Sequence, residues 1–191
     1  MRILLIGAPG SGKGTQADRL AEHFGVTHIS SGDLLRQHVR DETSLGKKVK
    51  SLVEAGDLVP DAIVMDMLRK PVLAASAAGG YILDGFPRSV EQAEAAYAVT
   101  KKLGVAVQVA IHLDVDKAEL VRRMLARGRG AEDTRDVIEH RLDVYAEKTV
   151  PLVDYYTSRE WLLHVDGTRS VDAVTELIVA RITERLARRH G

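Results

Sequence analysis

Gly7-Ala8-Pro9-Gly10-Ser11-Gly12-Lys13-Gly14-Thr15 sets three glycines and one lysine at GxxxxGK spacing, directly after the apolar run Arg2–Ile6. A helical pattern follows at once. Strand, glycine-rich turn and helix in that order form a cradle for phosphate. Glycines let the backbone wrap closely around an anion, since side chains would block the approach and forbid positive φ. The N–H groups at the helix start then point at the anion, and Lys13 adds a full charge. Strict versions of the pattern put Ser or Thr next to the lysine. Here Gly14 precedes Thr15, which weakens the case for a hydroxyl bound directly to a metal.

Two further constellations carry chemistry. Ser30-Ser31-Gly32-Asp33-Leu34-Leu35-Arg36 follows an apolar run and opens a helix. Ser30 or Ser31 can cap it, Asp33 suits the positive helix end, and Arg36 lies one turn on. Capping alone accounts for Ser and Asp, so this segment is the weaker signal. Tyr81-Ile82-Leu83-Asp84-Gly85-Phe86-Pro87-Arg88 is stronger: an apolar strand ends in a carboxylate placed to hold magnesium or its waters. An arginine follows, then Gln92 one turn later. A bare turn requires neither.

The elements that must position these residues alternate. Strand-like runs are Arg2–Ile6, Val26–Ser30, Tyr81–Asp84, Val107–Asp114 and Trp161–Asp166, separated by stretches with helical spacing. Ala17, Leu20, Ala21 and Phe24 make one apolar stripe that Gly25 stops, and Val174, Ile178 and Ile182 mark a final helix. Arg181, Arg185, Arg188 and Arg189 crowd its end as a solvated face complementing the helix dipole. Nearly continuous apolar strands predict a five-stranded parallel sheet covered by helices on both faces, with ligands beyond the strands' carboxyl ends. Two segments depart from the alternation. From Ser31 to about Ala75 the pattern is helical throughout, with breaks at Gly46, Gly56 and Pro60. Arg127 to Arg135 reads as a polar, glycine-punctuated, mobile loop.

Composition narrows the function. A chain of 191 residues with 45% hydrophobic and 28% charged residues is one folded domain of ordinary makeup. Lys and Arg number 27 against 27 Asp and Glu, so no global positive field attracts nucleic acid or anionic membrane. Absence of cysteine removes disulfides, thiolate metal sites, iron–sulfur clusters and a Cys nucleophile. The four-residue apolar run at the N-terminus is too short for a signal-peptide core or membrane span, so a soluble cytoplasmic protein is expected. A monomer is the default, because no long heptad or apolar patch stands out.

GAPGSGKGT, SSGDLLR and DGFPR with Gln92, followed by an arginine-rich stretch, together resemble the adenylate kinases, of the bacterial short-lid type, among the P-loop nucleoside monophosphate kinases. The similarity runs over essentially the whole chain, 1–191. It implies reversible transfer of the γ-phosphoryl of ATP to AMP, giving two ADP, with magnesium as cofactor. By that resemblance Gly10, Ser11, Gly12, Lys13, Gly14 and Thr15 hold the ATP phosphates, with Arg123, Arg127 and Gly167 also on the ATP side. Ser31, Arg36, Asp57, Leu58, Val59, Gly85, Phe86, Pro87, Arg88 and Gln92 form the AMP site, within a lobe spanning 30–59. Arg129 and Arg141 reach both AMP and the transferring phosphoryl. Lys13, Arg88, Arg123, Arg129 and Arg141 are the catalytic set, and Asp33 and Asp84 hold magnesium through its waters. The lid, 127–137, is too short and cysteine-free for a structural zinc. Arg129-Gly130-Ala131-Glu132-Asp133 is one residue longer than the compact RxDD form, which leaves the roles of Arg127 and Arg129 open.

These residues suit phosphoryl transfer, which needs positioning and charge neutralisation more than covalent chemistry. The acceptor phosphate is already anionic near neutrality, with a second pKa of about 6, so no general base is required. None of the seven histidines falls in a motif. Two alternatives stand beside this reading: a kinase whose acceptor is UMP or CMP, and a non-catalytic nucleotide-binding regulator. Two separate phosphate clamps argue against the second.

Overall fold

The computed structural model describes residues 1–159 and 161–189. Strands β1 (Arg2–Gly7), β2 (Thr27–Ser30), β3 (Tyr81–Asp84), β4 (Val109–Asp114) and β5 (Leu162–Asp166) form one parallel sheet in the order β2-β3-β1-β4-β5. The chain moves to one side of β1 for β2 and β3, then to the other for β4 and β5. Connections therefore diverge around β1, which is where such sheets open a crevice beyond the strand ends.

Three predicted strands begin one or two residues early, at Val26, Val107 and Trp161 rather than Thr27, Val109 and Leu162. Each early residue packs against a core without joining the ladder, and Trp161 stacks near Tyr97 with ring centroids 5.3 Å apart. Hydrophobicity thus outruns hydrogen bonding at these ends.

Helices are α1 (Lys13–Phe24), α2 (Ser31–Arg40), α3 (Ser44–Ala55), α4 (Asp61–Ala77), α5 (Val90–Lys102), α6 (Lys117–Arg127), α7 (Arg135–Val144), α8 (Pro151–Thr157) and α9 (Val171–Arg189). Both faces of the sheet are covered. Along β1, Ile3 and Leu5 pack with Leu20 of α1 and with Val174, Ile178 and Ile182 of α9. Leu4 and Ile6 point the other way, toward Leu68 of α4 and Leu152 of α8. That alternation explains the unbroken apolar strand. Of the closing arginines, Arg181 donates to the His164 carbonyl at 2.5 Å, while the side chains of Arg188 and Arg189 lie outside the described residues.

The helical insertion departs from expectation at Gly46. That glycine sits inside the first turn of α3, and the chain breaks instead at 41–43, where Glu42 takes φ 48°. A side chain at position 46 would run into the His38 carbonyl of α2, so the glycine serves helix–helix contact. Gly56 (φ 81°) does end α3, and Pro60 precedes α4. The segment expected as a mobile loop is built as a 3₁₀ turn, Gly130–Asp133, between α6 and α7. A π-helical turn, Tyr145–Thr149, joins α7 to α8.

Candidate active site

Every strand delivers its last residue to one edge, and the expected residues assemble there. Gly10 (φ 84°) and Gly12 (φ 94°) adopt left-handed conformations that wrap the loop around the start of α1. No side chain caps α1 at Gly12, and a Cβ at either Gly12 or Gly14 would meet nothing within 4 Å. The helix start is left to an external anion. Lys13 Nζ donates to the carbonyls of Gly7 (2.8 Å) and Ala8 (2.9 Å). Burial pushes the Lys13 ammonium down to about 8. Asp84 opposes that, and the charges of Arg88, Arg141 and Arg127 add to it. A lysine so placed gains from a polyanion.

A cleft of about 840 Å³ opens over this loop. Asp33, Asp84, Arg36, Arg88, Arg123, Arg127, Arg129, Arg141 and Gly167 share its wall. That volume lies within the range of nucleotide-sized sites. Asp84, at the end of β3, is buried, and its Oδ1 has no hydrogen-bond partner among the described residues. Buried carboxylate oxygens require one, and the water shell of a cation is a partner that would fit there. Among the described residues no three His, Cys, Asp or Glu side chains gather as a metal cage. Asp33 lies on the same wall, but its Oδ1 accepts from the Arg36 guanidinium at 2.5 Å. Burial raises its carboxyl; the hydrogen bond and charge of Arg36 outweigh that and hold it below the usual range.

A second, narrow cavity of about 50 Å³ adjoins the cleft. Arg36, Arg88 and Arg141 line both. Leu35, Val53, Val59, Val64 and Phe86 give it an apolar wall, with Leu58 and Gln92 beside them. Arg88 donates Nε to the Gly85 carbonyl at 2.8 Å, while Thr149 Oγ1 from the π-helical turn donates to the Arg88 carbonyl at 2.8 Å. Desolvation lowers the Arg88 guanidinium, against the favourable charge of Asp84. Gly85 (φ 80°) must be glycine: a Cβ there would strike Ser31 Oγ. Ser30 rather than Ser31 caps α2, accepting from the Asp33 N–H at 3.2 Å, and Ser31 is buried.

The lid arginines divide. Arg123 is held by Glu119 (2.7 Å) and donates to the Gly167 carbonyl (3.1 Å). Arg127 makes a two-pronged contact with buried Asp133, at 2.9 and 2.5 Å. Asp133 also accepts the Arg129 N–H at 2.9 Å, which leaves the Arg129 guanidinium on the cleft wall facing Arg36 and Asp33. Arg141 and Arg36 both contact Glu132, at 3.3 and 3.4 Å. Desolvation, partly offset by Glu132, lowers Arg141 to about 10. Asp57 also borders the narrow cavity, and its carboxylate lies 2.7 Å from His140 Nε2.

Sequence reasoning missed Glu132 and Asp133 as partners of these arginines, and Glu119 as the tether of Arg123. The Glu119–Arg123 spacing of four on one helix was a usable signal. It also missed His28, which reaches the cleft wall with Nδ1 2.7 Å from Asp18.

A family model described as adenylate kinase matches residues 5–161. The chain is 47% identical over 182 residues to an adenylate kinase of Rhodococcus erythropolis, covering 95% of this chain and 99% of the relative. It is 45% identical over 181 residues to one from Synechococcus sp. RCC307, and 44% over 184 residues to one from Kocuria rhizophila; each covers 95% of this chain and 98% of the relative.

Proposed function

The chain belongs to the adenylate kinase family, and on that premise we propose that it moves a phosphoryl group reversibly between ATP and AMP, forming two ADP, by the residues described above. The observation that supports this reading is a cleft over the phosphate loop and an adjoining narrow cavity that share Arg36, Arg88 and Arg141. Gly10 to Thr15 take the ATP phosphates, with Arg123, Arg127 and Gly167 beside the nucleotide. Arg36 and Arg88 take the AMP phosphate, Asp57, Leu58, Val59 and Gln92 border its nucleoside, and Arg129 and Arg141 stand between the two ends.

The obstacle to reaction is repulsion between two polyanions. Lys13 and the arginines offset it, and they do so more strongly where water is excluded. The AMP phosphate attacks as an anion, so the protein supplies no base. Magnesium, when bound, neutralises charge on the phosphates; Asp84, and Asp33 beside it, would orient its waters. Residues 30–59 act as the AMP-binding lobe and 127–137 as the lid of one kinase domain. We take the working form to be a cytoplasmic monomer, in keeping with a site assembled from one chain. No helix among the described residues is long and apolar enough to cross a membrane.

A coupled assay offering ATP with AMP, UMP, CMP or GMP in turn, with and without magnesium, tests the proposal. Turnover with AMP and magnesium is expected. Preference for another acceptor, or nucleotide binding without turnover, would refute it. In the double variant Asp33→Asn/Asp84→Asn, apparent magnesium affinity should fall by about ten- to a hundredfold, the usual cost of losing groups that orient a metal's shell.

A further inference from the structure

Gln92 on α5 is 3% exposed and borders the narrow cavity beside Val59 and Val64. Its side-chain amide is held at both ends. Oε1 accepts the Arg88 backbone N–H at 2.7 Å, and Nε2 donates to Asp61 Oδ1 at 2.6 Å. The orientation follows from chemistry. A backbone N–H only donates and an ionised carboxylate only accepts, so oxygen must face Arg88 and nitrogen must face Asp61. Asp61 is the exposed first residue of α4 and takes no part in the cavity wall.

An amide has two N–H bonds and two oxygen lone pairs. With one of each committed, one donor and one acceptor remain for a ligand. Adenine presents a matching edge, with acceptor N1 beside the N6 amino donor. Hypoxanthine and guanine present the reverse, a donor N1–H beside acceptor O6. Meeting them would require the amide to turn over. That would set nitrogen against the Arg88 N–H and oxygen against the Asp61 carboxylate, two repulsive contacts in a buried place.

We propose that Asp61 is a positioning residue for base selection: its carboxylate fixes the Gln92 amide in the orientation that accepts adenine and rejects 6-oxopurine monophosphates. The inference rests on the reading of the narrow cavity as the AMP site. Asn at position 61 could instead donate to a turned amide, so it removes one of the two repulsive contacts and leaves only the Arg88 N–H against the turn.

The test measures steady-state rates with AMP and with IMP, at saturating ATP, for the unaltered chain and for Asp61→Asn, Asp61→Ala and Gln92→Ala. In Asp61→Asn the KM for AMP should rise about tenfold while kcat stays within about twofold. The AMP-over-IMP ratio of kcat/KM should fall by about ten- to a hundredfold, the scale of one hydrogen bond to a charged group. Asp61→Ala should lower that ratio less, and the KM for ATP should hold in both variants. If Gln92→Ala collapses the ratio while both Asp61 variants keep it, the positioning role fails and the AMP site stands. If Gln92→Ala leaves both the AMP KM and the ratio unchanged, the site assignment fails and Asp61 falls with it. An equal loss with both acceptors in the Asp61 variants also refutes the proposal, since general damage does not choose between bases.

Discussion

At the end of the cleft proposed for ATP the anion-binding groups are backbone N–H bonds and one lysine, fixed by the turn that carries them; at the end proposed for AMP they are guanidinium groups from α2, α7 and the loops after β3 and α6. The cleft over the phosphate loop, which the arginines also line, opens to about 840 Å³, and the narrow cavity beside it to about 50 Å³. The difference lies in who satisfies the cations. Lys13 rests on carbonyls of its own loop, whereas Arg36 and Arg141 share Glu132 from the lid turn. One end is ready for an anion. At the other, an arriving phosphate must take over arginines that a protein carboxylate already contacts.

The largest effects should come from removing the central cation at each end. Lys13→Met and Arg88→Ala should each cut turnover at least about a hundredfold, the scale of losing one preorganised charge contact, about 2.7 kcal/mol. They should differ in kind. Arg88→Ala should raise the KM for AMP and spare that for ATP, so an unchanged AMP KM and rate would discredit its placement at the AMP end.

A smaller contrast should appear with pH. Burial lowers Lys13 to about 8, so in the free protein its charge is lost as pH rises through that value. ATP binding needs the charge, so kcat/KM for ATP should drop roughly tenfold between pH 7 and 9. ATP phosphates would hold the proton once bound. Arg141 is lowered only to about 10. Hence kcat/KM for AMP at saturating ATP should stay level over the same range. Parallel pH profiles for the two substrates would erase the distinction.

The smallest effect should follow from Glu132→Gln. Its contacts with Arg36 and Arg141 are long, at 3.4 and 3.3 Å, and Gln keeps the shape while removing the charge. Freeing the arginines should lower the KM for AMP by about two- to fivefold and leave that for ATP unchanged. A rise in the AMP KM would mean that Glu132 holds the arginines ready instead of competing for them.

The same contrast explains how much of the molecule was legible in its sequence. The phosphate loop is contiguous: strand, glycines, lysine and helix lie within Arg2–Phe24, and local pattern suffices to place them. Asp84 and Arg88 are equally local. The parallel sheet followed from nearly continuous apolar runs, whose alternate residues face two cores. The AMP end depends on pairings between distant segments. Glu132 with Arg36 and Gln92 with Asp61 have no periodicity to betray them. Gly46 looked like a helix stop because close approach to α2 leaves no trace in composition. The longer lid turn left Arg127 and Arg129 interchangeable on paper. Asp133 separates them by occupying the first and holding the backbone of the second.

The central claim is that both ends belong to one site bridged by shared arginines. The most direct measurement is a calorimetric titration with two adenosines joined through five phosphates, repeated with excess ATP and with excess AMP. We predict one molecule bound per chain, displaced by either nucleotide, with affinity weakened strongly by Lys13→Met and by Arg88→Ala alike. Competition with ATP alone, together with undiminished binding in Arg88→Ala, would contradict the account.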